Sequence, residues 1–75
     1  MDLTTLRETA GKTRSQVAGQ MRMTPHGVRR IELGGETTIS SLERYAAALG
    51  VDFIVAYNAY RFSRRRVRPV VENVA

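Results

Sequence analysis

Apolar residues recur at helical spacing through the first fifty positions of the chain. Leu3, Leu6 and Ala10 predict a helix over about 3 to 10, with Asp2 or Thr4 to cap its start and Gly11 to stop it. Thr13 and Gln16 stand in capping-box relation, and Val17, Ala18 and Met21 form the apolar stripe of a second helix over about 14 to 21. Thr24 followed by Pro25 is a strong start for a third helix, because the hydroxyl serves orphan amides and proline at N1 lacks an N–H that would go unpaired anyway. Val28 and Ile31 face inward there, and Gly34 with Gly35 ends it. His26, Arg29, Arg30 and Leu33 fall off that stripe and are expected on the exposed side, and only Arg22 and Met23 separate helices two and three. Ile39, Leu42, Tyr45, Ala46 and Leu49 share a face of a fourth helix over about 39 to 49, with Ser40 to Glu43 as a second capping box and Gly50 as its stop.

The rhythm then changes. Residues 51 to 62, VDFIVAYNAYRF, are rich in Val, Ile, Phe and Tyr, and Phe53, Val55 and Tyr57 alternate against Ile54, Ala56 and Asn58. That alternation predicts a β-strand, although a fifth helix using Val51, Ile54, Val55 and Asn58 also fits. A strand after four helices has no partner in its own chain, so a second copy would have to cover its edge. On this reading Phe53, Val55 and Tyr57 form a homodimer interface through an intermolecular sheet at 52 to 60. The expected organisation is a unit at 1–50, a strand at 51–62 and a basic tail at 63–75, which has no clear period and for which disorder is one reading.

Seventy-five residues make one domain that buries only about 60% of its unfolded surface, which also favours self-association. The net charge of +5 is unevenly spread. From Thr9 to Ile31 there is no acidic residue, while Lys12, Arg14, Arg22, Arg29 and Arg30 are basic; Arg61, Arg64, Arg65, Arg66 and Arg68 form a second block opposed only by Glu72. Such a balance points to a polyanionic partner, though for the second block a solvated face or disordered tail explains the run equally well, and for the first the position relative to the helices decides. With no cysteine and one histidine, neither a structural metal nor a cofactor is expected. His26 has no companion nucleophile or paired carboxylates, so an enzyme is the least expected class. The chain shows neither a signal-peptide start nor a long apolar run, and the expectation is a soluble cytoplasmic protein with no membrane partner.

Two short helices joined by a tight turn, with apolar residues at Val17, Ala18, Met21, Met23, Val28 and Ile31 and the ending RIELG, resemble the helix-turn-helix of the Cro/repressor (XRE) family. The resemblance covers about residues 3 to 56 and implies a mainly α, four-helix lambda-repressor-like domain. It also implies a partly buried ion pair between Arg7 and Glu32, where the residues alone suggest only an exposed pair of small effect. TTISSLERYAAALGVDFIVAY is similar to the fourth helix and C-terminal strand of Hip- and Hig-type antitoxins, which supports the strand and the dimer. In this family the third helix enters the major groove. Carried over by position, Pro25, His26 and Arg30 are base-facing with Arg29 beside them, and Arg14, Ser15 and Thr24 lie where phosphates bind. Arg30 is the first choice to reach guanine O6 and N7. Gly27 could admit close approach to DNA or be a tolerated surface glycine. The chain departs from the family at Arg14, usually glutamine, and at Arg22, often glycine; a left-handed Arg22 would cost on the order of 1 kcal/mol.

The function so implied is a DNA-binding transcriptional repressor, dimeric on an inverted repeat in double-stranded DNA, and by the antitoxin likeness autoregulating with a cognate toxin as partner. A phage-type Cro or immunity regulator and a module that holds an acidic protein without reading DNA remain open.

Overall fold

A computed structural model describes residues 1–67, which form five helices and, among the described residues, no strand. They are α1 (Leu3–Thr9), α2 (Arg14–Met21), α3 (Pro25–Glu32), α4 (Ile39–Leu49) and α5 (Phe53–Val67). Residues 68–75, including Arg68 of the basic tail, lie outside the described residues.

Local chemistry accounts for the start of each of the first four helices. Asp2 caps α1 by accepting from the Thr5 amide, Thr13 and Gln16 close a capping box on α2, and Thr24 accepts from the Gly27 amide with Pro25 at the first helical position. On α4 the cap is Thr38, which accepts from the Ser41 amide; the predicted Ser40 to Glu43 box does not form, because the helix starts two residues earlier than that box requires. Gly50 ends α4 in the left-handed region at φ 74°.

α2 and α3 meet through the short turn that the sequence predicts. Arg22 takes φ 58° and ψ 46°, the left-handed geometry that disfavours a side chain. The Met23 amide donates to Ala18 O at 3.0 Å, and the guanidinium of Arg44 on α4 donates to Met21 O, so the carbonyl end of α2 is bonded rather than bare. Arg22→Gly should therefore stabilise the protein by about 1 kcal/mol in urea denaturation. An unchanged or lowered midpoint would contradict that assignment of strain.

The strand expectation at 51–62 is overturned: residues 53–62 are the first two thirds of α5. Asp52 O accepts from the Val55 and Ala56 amides at 3.1 and 3.2 Å, which starts a helix. Its inward face is Ala56, Ala59, Tyr60 and Ser63, all buried and spaced i, i+3, i+4, i+7. That stripe places α5 against α1 and α4, with its later turns against the end of α3. A strand would send Ala56 and Tyr60 to the same face as the exposed Ile54, and the core would lose its fifth wall. The proposed interface residues consequently part company. Phe53 and Tyr57 are helix neighbours with stacked rings 5.7 Å apart, half-buried against the core, whereas Val55 is exposed. The intermolecular sheet falls with the strand. The helical alternative also chose the wrong face, since Ile54, Val55 and Asn58 point outward.

The core joins all five helices, with Tyr45, Leu3, Met21, Val17 and Val28 as its largest fully enclosed side chains. Ser63 to Val67, read in sequence as the start of a tail, continue α5.

Candidate nucleic-acid interface

α3 has two unlike faces. Val28, Ile31 and Glu32 are buried, and the opposite side carries His26, Arg29, Arg30 and Leu33 at helical spacing, all exposed, with Pro25 exposed at the first position. The four residues expected to face bases thus lie together on one solvent-facing surface. Thr24 uses its oxygen to accept from Gly27 N at 3.1 Å, which leaves its hydroxyl hydrogen free to donate to a phosphate. Gly27, expected either to admit close approach to DNA or to be a tolerated surface glycine, is half-buried beside Met23. A Cβ there would come within 2.6 Å of Met23 Cε, the far end of a flexible side chain that can shift aside.

The inner face is fixed by charge as well as by packing. Glu32 is enclosed, yet its carboxylate receives four donors: Arg7 Nε at 2.7 Å and Tyr45 Oη at 2.7 Å on Oε2, Arg14 Nε at 2.9 Å and Thr4 Oγ1 at 3.2 Å on Oε1. Arg7 and Glu32 therefore meet as a buried pair, and Arg7 also donates through Nη1 to Lys12 O at 2.9 Å. Burial alone would raise the Glu32 pKa; hydrogen bonds from Tyr45, Arg7 and Arg14 outweigh it and hold the carboxyl below its ordinary range. Burial followed by the adjacent carboxylate pushes the Tyr45 phenol well up, so it stays a donor. For Arg7, burial works against the charge, but the Glu32 bond and field leave its pKa raised.

Three members of this cluster, Thr4, Arg14 and Tyr45, were not singled out as partners of Glu32 by the sequence. One signal was present: a tyrosine in the middle of an apolar helix stripe needs a partner for its hydroxyl. Arg14, expected on phosphate, spends its Nε on Glu32 while its side chain remains 37% exposed. Ser15 is exposed on the first turn of α2. The second basic block is divided in the same way. Arg61 lies over the Tyr57 ring at 5.9 Å and is exposed, as is Arg65, whereas Arg64 is half-buried and donates to Gly34 O and Tyr60 Oη.

Comparison with protein families places this arrangement. The family model for the helix-turn-helix domain matches residues 2–53, well over half of the chain. The chain belongs to that family, a class of DNA-binding domains. Neither the curated proteins nor the solved structures give a match. The matched region ends at Phe53, where α5 begins. Among the described residues no helix is long and apolar enough to cross a membrane.

Proposed function

We propose that this protein is a sequence-specific DNA-binding transcriptional repressor that reads double-stranded DNA with α3 in the major groove. The observation that carries the proposal is the two-faced α3: Pro25, His26, Arg29 and Arg30 are presented together to solvent while Val28, Ile31 and Glu32 lock the opposite side. Arginine can bond guanine O6 and N7 at once, and Arg30 takes that role. Thr24 and Ser15, near the starts of α3 and α2, hold phosphates and set the register. Arg14 keeps the second half of its guanidinium for phosphate while bonded to Glu32.

An eight-residue recognition helix spans few base pairs, and a genome offers many chance matches to so short a site. Two copies on an inverted repeat, with half-sites about one helical turn apart, supply the missing length. The contact between copies does not use a sheet. The antitoxin reading drew its support from a strand at 51–62; with that segment helical, no toxin partner is carried forward.

Arg30→Ala should cost about 1 to 3 kcal/mol on the preferred duplex and relax the choice at one base position. Arg14→Ala should weaken all duplexes alike and lower fold stability too, because a donor to Glu32 is removed. Fluorescence anisotropy at near-physiological salt, on a duplex selected from a randomised pool and on its scrambled counterpart, tests the proposal. A preference of roughly a hundredfold or more is expected. Equal weak binding to both would leave only general attraction between a basic protein and a polyanion.

A further inference from the structure

α5 lies almost wholly beyond the matched helix-turn-helix region, and it runs back across the loop that follows the recognition helix. Tyr60 Oη donates to Gly35 O at 2.7 Å. Arg64 Nη1 donates to Tyr60 Oη at 3.1 Å and to Gly34 O at 3.3 Å. Gly35 N in turn donates to Arg30 O at 2.9 Å. Arg64 has no acceptor, so the tyrosine proton is directed to Gly35, and the links join α5 to the main chain of Arg30 itself.

The seam is tight. A Cβ on Gly34, whose φ is +90°, would stand 2.9 Å from Arg64 Cα, and one on Gly35 would stand 2.8 Å from Arg30 O. α5 is also tied to α1, since Ser63 Oγ accepts from Leu3 N at 3.2 Å and donates to Ala59 O at 3.1 Å. Arg30 sits in the last turn of α3, four residues before Gly34. Small shifts of its backbone decide whether a guanidinium meets a base edge at the right angle.

We propose that Tyr60 and Arg64 are positioning residues for base reading: α5 clamps Gly34 and Gly35 and so fixes Arg30 on the recognition helix. The proposal rests on the DNA reading given above, but the clamp itself can be observed without DNA. Tyr60→Phe is the informative variant because it removes the bond to Gly35 without changing net charge, so lost affinity cannot be lost phosphate attraction.

In the free Tyr60→Phe protein, hydrogen exchange at the Gly34 and Gly35 amides should accelerate by roughly threefold to tenfold, while the core amides of Val17 and Met21 hold. The preference for a selected duplex over its scrambled counterpart should fall by a similar factor, with helical content unchanged. Arg64→Gln should move the same amides in the same direction. Unchanged exchange at Gly35, or equal acceleration throughout the domain, would overturn the clamp. Accelerated exchange with undiminished preference would overturn its role in reading. A wild-type protein with no preference for any duplex would overturn the DNA reading and that role with it, and Gly35 exchange would still decide whether the clamp exists.

Discussion

Glu32→Ala should destabilise the protein by about 3 to 5 kcal/mol, because it leaves the buried Arg7 guanidinium without its counter-charge. Against a total that for small domains is only about 5 to 15 kcal/mol, much of the population would unfold at 25 °C. Tyr45 and Thr4 would lose an acceptor at the same time, whereas Arg14 can turn to water. Glu32→Gln keeps the shape and removes the charge, and should still cost more than 1 kcal/mol in urea denaturation at neutral pH. The pH dependence has a definite sign. Glu32 is held below its ordinary range, so its stabilisation is complete above the unfolded carboxyl value of about 4.3 and is lost as pH falls through the folded value. Wild type should weaken in acid below about pH 4, and Glu32→Gln should lack that portion of the loss. Tyr45 contributes oppositely: its raised pKa gives stability that is present below about pH 10 and declines at higher pH. A Glu32→Ala protein within 1 kcal/mol of wild type would show that the cluster is not the anchor of α3.

Gly34→Ala should cost about 2 to 4 kcal/mol, from a left-handed backbone that resists a Cβ and from a contact with α5 main chain that cannot give way. Gly11→Ala is the matched control. Gly11 has φ +76° but nothing within 4 Å of a Cβ, so only the conformational cost of about 1 to 2 kcal/mol applies. The difference between the two variants isolates the closeness of α5 to the loop after α3. Equal losses would mean that the seam yields.

The first four helices were legible because each carries its own punctuation: Asp2, Thr13 with Gln16, and Thr24 with Pro25 at the starts, and Gly11, Gly34 and Gly50 at the stops. The exposed face of α3 followed from Val28 and Ile31 alone. α5 was misread for a physical reason. Its buried face is built from Ala56, Ala59, Tyr60 and Ser63, small or polar-tipped residues that a search for large apolar side chains passes over, while Ile54, Val55 and Phe62 are exposed. β-branched residues at 51, 54 and 55 then imitated a strand. Small residues are what allow α5 to approach α1 and α4, and that information lies in the packing rather than in periodicity. The Glu32 cluster was half legible for a related reason. Resemblance supplied Arg7, but Thr4, Arg14 and Tyr45 reach Glu32 only once three other helices have packed.

The central claim is that the outer face of α3 is where DNA is read. Amide chemical-shift mapping of the protein titrated with a selected duplex tests it most directly, because it reports where contact occurs whatever the affinity. The account predicts changes concentrated at Arg14 and Ser15 and from Thr24 through Arg30, with Asn58, Arg61 and Arg65 on the outer side of α5 little affected. Changes confined to Asn58 through Arg65, with α3 silent, would contradict it.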